Sequence, residues 1–276
     1  MQNEENFEKE LKARLIEMTS WFHEVCVKNG IRYYAIDGTM LGAARHQGFI
    51  PWDDDIDVGV PRADYERLAR LMEEKPDGRY VYETPRSPAP EFIYTFSKLY
   101  DTSTTLVQRA RTDIRRGVYI DVFPLDGLGS TIEDARRNFG KIDRLFSLYS
   151  SRVLAVRPGR KFYKNAAVRL IQALPECLIN TKRLQLKVDE ACREHDYDEC
   201  EIVGNLVGAW RFRDVVEKSV IGDPVPHKFE DITIFGVSDF DAYLTHLYGA
   251  WREFPPKEKQ VSHHEFVECD LHKPYL

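Results

Sequence analysis

The chain has 276 residues, enough for one large domain or two small ones with a buried core. Apolar residues make up 43% and charged residues 30% of it, which excludes a disordered or fibrous protein. The net charge of -6 excludes a basic field that would draw the whole molecule to nucleic acid, and no run of about 18 apolar residues is present to span a bilayer.

The N-terminal segment has no apolar core followed by a cleavage site, so we expect no signal peptide. The five cysteines are scattered and odd in number, which favours reduced thiols and a cytoplasmic protein. Cys192, His195 and Cys200 have the residue types of a zinc site, but their spacing fits no common zinc finger.

Apolar residues at steps of three and four predict a first helix over residues 7–25, and Gly30 is its expected stop. The predicted elements that follow are a strand at 31–36, a helical turn at 40–46, a strand at 56–60 and a helix from Pro61.

Turn-rich segments separate three further predicted strands, at 80–83, 92–99 and 104–108. Residues 118–123 predict another strand, which Pro124 is expected to end. The pattern is then mainly helical from about residue 131 to 196, with late short strands and a last helix near 239–249. We therefore predict an α+β fold, with a mixed α/β half over 1–128 and a mainly helical portion over 129–276 that completes the substrate cleft.

The acidic run at residues 53–57 is the first candidate site. Asp55 and Asp57 are two residues apart at the start of a predicted strand, so their carboxylates point to the same side. Two such carboxylates repel each other unless a cation lies between them, and Mg²⁺ prefers oxygen ligands of this kind. Most acidic runs are solvated turns, but Trp52 and Ile56 give this run apolar surroundings.

A calcium-binding loop is the alternative reading of the run. Asp53, Asp55 and Asp57 would stand at its first, third and fifth positions. The sixth position requires Gly and the twelfth requires Glu, but the chain has Val58 and Asp64 there. The calcium loop is excluded.

Asp121 is a third carboxylate, inside the apolar strand at 118–123. An Asp in such a strand is costly to bury unless it is paired or binds a metal, although a strand-end Asp can also bond to a nearby turn. If the two strands are neighbours, Asp121 completes a cluster with Asp55 and Asp57. Such a cluster would hold one or two Mg²⁺ or Mn²⁺ ions and clamp a phosphoryl group.

Gly38 and Thr39 lie between a predicted strand and a helical turn, where backbone N–H groups could face a phosphate. A strand, a Gly-Thr pair and then an Asp-x-Asp strand resemble the signature of the nucleotidyltransferase fold. Arg45 lies between the two motifs and is a candidate phosphate ligand, with a surface arginine as the alternative.

The run DGTMLGAARHQGFIPWDDDID at residues 37–57 closely resembles the LicD family of phosphotransferases, which is related more distantly to fukutin. Further matching segments lie at 119–126, 228–231, 243–249, 255–259 and 263–264. The chain departs from the family pattern at Met40, where Leu is usual, and at Ala250, where Asp is common.

The resemblance implies transfer of phosphocholine from CDP-choline to a sugar hydroxyl of a lipid-linked glycan precursor, teichoic acid or lipopolysaccharide, with release of CMP. It also implies that Asp55 and Asp57 are metal ligands and that Asp121 is the third carboxylate. Asp53 or Asp121 would accept the sugar proton. His263 and His264 would contact the nucleotide or the phosphate, and a surface pair of histidines is the alternative.

Choline carries a charge without a hydrogen to donate, so its site requires aromatic rings. Trp52 is the first candidate, with Tyr33 and Tyr119 next, although aromatic residues at such places are commonly core.

Residues 151–187 form a basic stretch, with nine Lys or Arg and only Glu176 opposing them. With its interleaved apolar residues, the stretch could lie on the inner face of an anionic membrane as a peripheral contact. The alternative is a core-facing helix pair with a solvated basic face.

Two other functions share these features. One is a nucleotidyltransferase, or another alcohol-phosphate transferase, that uses a different donor. The other is a non-catalytic, metal-stabilised glycan-binding protein. Retention of three carboxylates argues against the last, because a binding module does not need them.

Overall fold

The computed structural model describes residues 2–89, 91–155, 161–261 and 266–275. The helices are α1 (Gln2–Asn29), α2 (Asp37–His46), α3 (Arg62–Glu74), α4 (Ile132–Val153), α5 (Phe162–Ala173), α6 (Thr181–Cys192), α7 (Lys218–Ile221) and α8 (Phe240–Tyr248), with short 3-10 turns at Arg211–Asp214 and Lys257–Lys259. The strands are β1 (Tyr34–Ala35), β2 (Asp57–Pro61), β3 (Tyr80–Glu83), β4 (Ser97–Asp101), β5 (Thr105–Gln108), β6 (Ile114–Arg116), β7 (Tyr119–Gly129), β8 (Ile202–Asn205), β9 (Val215–Glu217), β10 (Val225–Phe229), β11 (Ile232–Gly236) and β12 (Phe266–Asp270).

Nine of the described strands form one mixed sheet in the order β10-β11-β1-β2-β7-β4-β3, with β8 paired to β7 and β9 paired to β8. The pairs β1–β11 and β2–β7 are parallel, and the other pairs in this sheet are antiparallel. A second sheet joins β12, β5 and β6. The predicted α+β class is confirmed.

The two strands at the centre of the sheet are β2 and β7. Val58, Val60, Ile120 and Val122 are fully buried along them, as β-branched residues covered on both faces of a sheet should be. Apolar residues of α1 complete the core on one face, with Leu15, Met18, Phe22 and Cys26 completely buried. The spacing of apolar residues that predicted α1 therefore corresponds to the face of the helix that is buried.

Strand β7 is longer than predicted, because it continues through Pro124 to Gly129. Its pairing with β4 ends at Val122, and its pairing with β8 begins at Leu125. On this edge of β7, Pro124 lies between the two partners, so its missing N–H removes no bond from the β4 or β8 ladder, and on the other edge Pro124 is the register partner of Val60 of β2. The prediction that Pro124 ends the strand was wrong.

Two other local predictions differ from the structure. Helix α2 begins at Asp37 instead of residue 40, so Gly38 and Thr39 lie in its first turn and only Tyr34–Ala35 remains as strand before it. The strand predicted at 92–99 runs instead over Ser97–Asp101, and the carbonyls of Phe92 and Tyr94 before it accept hydrogen bonds from the side-chain amide of Gln185 of α6.

The large sheet runs across residue 128, since β8, β9, β10 and β11 join strands from the first half. An ion network also crosses this point. Arg62 of α3 donates two hydrogen bonds to Asp126 of β7 and one to Asp189 of α6, at 2.7 and 2.8 Å. Within the described ranges, none of the helices is both long enough and apolar enough to cross a membrane.

Candidate active site

The predicted carboxylates lie on β2, on β7 and on the loop before β2, and these two strands run side by side. Asp57 and Asp121 are register partners across this parallel pair, so the two strands are neighbours as the third-carboxylate argument required. The loop before β2 carries Asp53, Asp54 and Asp55, which each place a carboxylate oxygen within 4.8 Å of the other two. Among the described residues, the set of oxygens this close is therefore Asp53, Asp54 and Asp55, and it does not include Asp57 or Asp121, which were predicted to join Asp55.

The electrostatics of the cluster are those of crowded like charges. Burial raises the pKa of Asp57 well above its usual range, and the negative charges of Asp55 and Asp121 raise it further. Without a cation, ionisation of Asp57 is opposed both by desolvation and by its neighbours. An all-oxygen donor set under this repulsion suits a hard divalent cation.

The first turn of α2 positions the acidic loop. Thr39 accepts a hydrogen bond from the backbone N–H of Asp57 at 2.8 Å, which ties the helix to the first residue of β2. A Cβ at residue 38 would lie 2.8 Å from Oδ2 of Asp53, so a side chain there would require that carboxylate to move.

Glu230 holds the segment that leads into the acidic run. Its carboxylate accepts the backbone N–H of Phe49 at 3.0 Å, and its own N–H donates to the carbonyl of Gln47 at 2.7 Å. A methyl group at Gly48 would collide with the same carboxylate. The segment at 228–231 matched the family, but its contact with this loop could not be read from the sequence.

Lys98 of β4 is a site residue that sequence reasoning missed. It is 1% exposed and donates from Nζ to Oδ1 of Asp121 at 2.5 Å. Its ammonium lies 3.4 Å from the ring centroid of Tyr119 and 4.3 Å from that of Tyr94. The only available signal was a lysine inside a predicted apolar strand, which calls for a charged partner.

Asp37 and Asp214 form a second acidic group behind the first. The hydroxyl of Tyr243 donates to Oδ1 of Asp37 at 3.4 Å and accepts its backbone N–H at 3.3 Å. Burial raises the pKa of Asp37 to about 6. Burial also raises the pKa of Asp214 to about 10, with a further contribution from the charge of Asp37. Asp214 had no sequence signal, because its partner lies 177 positions earlier (214 − 37).

Arg45 is bound to the segment after α8. Its Nη1 donates to the carbonyls of Trp251 and Glu253 at 2.8 and 3.1 Å, and its guanidinium lies 4.9 Å from the ring centroid of Phe254. These contacts give Arg45 a structural task, and its phosphate role stays a prediction.

The three choline candidates lie in different surroundings. Tyr33 is fully buried, and its hydroxyl is paired with His23 and accepts the N–H of Phe235. The ammonium of Lys98 lies over the ring of Tyr119 in a cation–π contact. Trp52 is half-buried and lines a cavity.

Two cavities flank the strand ends. The first, of about 570 Å³, lies between α1, the acidic loop and the C-terminal segment, and Trp52, Asp53 and Asp54 form one wall of it. The second, of about 660 Å³, lies against α4 and is lined by Tyr94, Phe96, Phe123, Ser147 and Arg211 among others. Phe123 follows Asp121 by two residues on β7, so this cavity adjoins the same strand end.

Other predicted residues either lie outside the described residues or have a structural role. His263 and His264 lie outside the described residues, as do Arg157 and Arg160 of the basic stretch. Arg152 of that stretch is buried, and donates to the carbonyls of Ile171 and Leu174 at 2.8 and 2.7 Å. Arg152 therefore caps the C-terminal end of α5 and is not part of an exposed basic face.

Comparison with known proteins agrees with this geometry. The family model described as LicD/FKTN/FKRP, nucleotidyltransferase domain, matches residues 30–139, which include both strands of the site. The lipopolysaccharide cholinephosphotransferase LicD of Haemophilus influenzae is 24% identical over 93% of this chain and 95% of its own length.

Two eukaryotic relatives match shorter parts. Human ribitol 5-phosphate transferase FKRP is 55% identical over 42 residues, 15% of this chain and 8% of that protein. Mannosyltransferase regulator 4 of Saccharomyces cerevisiae is 25% identical over 48% of this chain and 11% of its own length. The LicD/FKTN/FKRP family model covers the carboxylate strands, and the similarity to the bacterial relative over nearly its whole length indicates a transferase enzyme.

Proposed function

We propose that the protein transfers phosphocholine from CDP-choline to a sugar hydroxyl of a cell-surface glycan precursor, teichoic acid or lipopolysaccharide, and releases CMP. The observation that carries the proposal is the group of carboxylates at the start of two adjacent strands: Asp57 and Asp121 are register partners, and Asp53 and Asp54 of the preceding loop line a cavity beside Trp52. The cholinephosphotransferase of Haemophilus, similar over nearly its whole length, supports the same reaction.

The cluster fits a divalent cation by its oxygen donors and by the repulsion that raises the pKa of Asp57. Asp55, Asp57 and Asp121 would hold one or two Mg²⁺ or Mn²⁺ ions. When bound, the cation neutralises charge on the donor diphosphate and on the departing CMP. The oxygens of Asp53 and Asp54 lie close enough to Asp55 to contribute to the same site.

The cavity beside Trp52 suits the donor. A quaternary ammonium binds to aromatic faces and to negative charge, and this cavity offers an indole ring beside the carboxylates of Asp53 and Asp54. The backbone N–H groups of Gly38 and Thr39 lie in the first turn of α2, where they would face the diphosphate.

The chemistry then requires one proton acceptor. The sugar oxygen attacks the phosphorus that bears choline, the bond from that phosphorus to the CMP oxygen breaks, and the sugar proton passes to a carboxylate. One oxygen of Asp121 accepts a hydrogen bond from the Lys98 ammonium and the other would face the cation, and Asp53 lines the donor cavity. We therefore assign the base role to Asp53.

The second cavity would take the acceptor. Its aromatic rings and its serine hydroxyls suit a sugar, which needs apolar faces and hydrogen-bonding groups together. A lipid-linked precursor would be met at the inner face of the cell membrane, with the protein in the cytoplasm and in peripheral contact through the basic stretch.

The test is a transfer assay with Mg²⁺ or Mn²⁺, labelled CDP-choline and a glycan precursor, in which CMP and labelled glycan are measured together. We expect Asp57→Asn to lose about 10²-fold or more of kcat, because it removes charge that acts on the transition state. Trp52→Ala should mainly raise KM for CDP-choline, and Trp52→Phe should recover part of it.

Two results with other donor substrates would contradict the proposal. Pyrophosphate release from a nucleoside triphosphate without CMP release would assign a nucleotidyltransferase instead. Equal turnover of a donor that carries a neutral alcohol in place of choline would overturn the choline assignment while leaving the transferase.

A further inference from the structure

Helix α5 exposes large apolar side chains to an unusual degree. Phe162 is 84% exposed, Leu170 69% and Tyr163 53%. Of the twelve residues in this helix, only Val168 is buried. A helix of a globular protein normally turns its apolar stripe toward the core, so this one presents the reverse arrangement.

The exposed apolar residues of α5 lie on one face. Phe162, Ala166, Leu170 and Ala173 follow at steps of four, four and three, which keeps them in one stripe. Tyr163 and Ala167 widen the same stripe by one helical position. The opposite side carries Val168, which packs toward the protein.

Basic residues border this stripe. Lys161 and Lys164 lie at the start of α5 and Arg169 lies near its middle, and all three are exposed. Residues 161–175 contain no Asp or Glu, although the whole chain has a net charge of -6. The positive charge is therefore local to the apolar surface, where it favours an anionic partner.

The orientation of α5 is fixed by specific bonds. Arg152 of α4 donates to the carbonyls of Ile171 and Leu174 at the end of the helix. Gln172 donates to the carbonyl of Leu154 at 2.9 Å, and its own carbonyl accepts from Arg111. These bonds hold the apolar stripe outward.

Two further apolar residues near α5 along the chain are exposed. Leu154, before it, and Leu178, after it, are exposed, the latter by 70%. Leu154 and Val168 also line the cavity proposed for the acceptor. Leu154 is therefore both an exposed apolar residue and part of the cavity lining, and Val168 connects the inward side of α5 to the same cavity.

We propose that α5 is an interfacial helix that docks the protein on an anionic phospholipid surface. Phe162, Tyr163 and Leu170 enter the boundary between headgroups and acyl chains, and Lys164 and Arg169 contact the headgroup phosphates. A lipid is favoured over a protein partner because one face combines bulky apolar groups with flanking cations and no acid. Delivery of a lipid-linked acceptor into the adjoining cavity follows only if the proposed function holds.

Flotation of the full chain with lipid vesicles tests docking without any activity. The vesicles are phosphatidylcholine alone, or phosphatidylcholine mixed with phosphatidylglycerol, each at low and high salt. We expect binding to the anionic vesicles at low salt, weakened by salt, and little binding to the neutral ones. Phe162→Ser/Leu170→Ser should lower binding by about tenfold or more, since it removes most of the inserted area. Lys164→Glu/Arg169→Glu should lower it similarly on anionic vesicles only.

Val27→Ser is the matched control, because Val27 on α1 is 53% exposed and lies on a different helix. It should float like the unmodified chain, and circular dichroism should show all variants folded. The proposal is overturned if the chain fails to float with anionic vesicles at low salt, or if the apolar double variant floats unchanged. It is equally overturned if that variant changes only a self-association measured without lipid, which would make α5 a contact between copies of the chain.

Discussion

Lys98 and Asp121 form a buried ion pair between register partners of β4 and β7. Burial of the Lys98 ammonium and the Asp121 carboxylate is tolerated only because the two charges are paired. The ring of Tyr119 also contacts the ammonium. The pair therefore sets which way one oxygen of Asp121 points, and it lowers the negative charge of the cluster.

We expect Lys98→Met to lower the free energy of unfolding by about 3–5 kcal/mol, because the Asp121 carboxylate stays buried without the ammonium. Lys98→Met/Asp121→Asn should recover at least half of that loss, since no charge remains to be compensated. Urea unfolding of the two variants measures both values. A double variant no more stable than the single one would contradict the pairing.

Asp214 makes stability depend on pH. Its pKa is raised from 3.8 to about 10 by burial and by the charge of Asp37, so the folded protein favours the protonated acid. This contribution to stability is complete below pH 3.8 and is lost as pH rises toward 10. The nearby guanidinium of Arg213 lowers the pKa but does not reverse the shift.

We expect Asp214→Asn to gain stability relative to the unmodified chain as pH rises from 5 to 9, by at most about 1.4 kcal/mol per pH unit. Asparagine keeps the shape of the side chain and cannot ionise. Thermal unfolding across this pH range gives the two curves. Parallel curves would mean that Asp214 is ionised in the folded protein at all of these pH values.

At the scale of elements, the loop between α2 and β2 depends on a distant turn. The Glu230 carboxylate reaches across to Phe49, and Gly48 is the residue that leaves room for it. The acidic run begins four residues after Phe49, so a displaced loop would displace Asp53 as well.

We expect Gly48→Ala to lower both the melting temperature and the transfer rate, because its methyl group must push the Glu230 carboxylate away. Gly140→Ala is the control. That glycine lies inside α4 with no atom within 4 Å of the added Cβ, and its replacement should stabilise the protein by about 0.5–1 kcal/mol. Equal effects of the two changes would remove the argument for the Glu230 contact.

At the scale of the whole molecule, the sheet joins both halves of the chain. Strand β8 pairs with the far part of β7, and Arg62 links Asp126 to Asp189 of α6. Removing the second half would leave the end of β7 without its partner and a buried aspartate beside an incomplete network.

We therefore expect the full chain to unfold in one transition, and a chain that ends at residue 128 to stay unfolded. Two variants report on the halves separately. One keeps only Trp21 and Trp52, and the other keeps only Trp210 and Trp251, with phenylalanine at the remaining positions. Their fluorescence midpoints in urea should coincide with each other and with circular dichroism. Separate midpoints would show two independent units.

The sequence alone determined the parts that depend on local pattern. Periodicity predicted α1, α3 and the helical region of α4 to α6, because apolar spacing records which face of a helix is buried. The sequence also pointed to Asp55, Asp57 and Asp121 as candidate site residues, because an acid inside an apolar strand is costly to bury, and their role stays a prediction. The proximity of Asp121 to the others was only conditional, because no local signal says which strands are neighbours.

Tertiary structure decided the rest. Lys98, Asp214 and Glu230 reach the site from strands and loops far along the chain, and only the pairing of β4, β7, β8 and β10 with their neighbours brings them there. The tertiary structure also distinguished between two of the choline candidates, because Trp52 lies at a cavity wall and Tyr33 lies in the core. The extension of β7 past Pro124 depends on a change of partner that the local sequence does not encode. The physical reason is the same in each case. The spacing of apolar residues is set within one segment and can be read from it, whereas the strand or side chain that a residue contacts depends on how the whole chain folds.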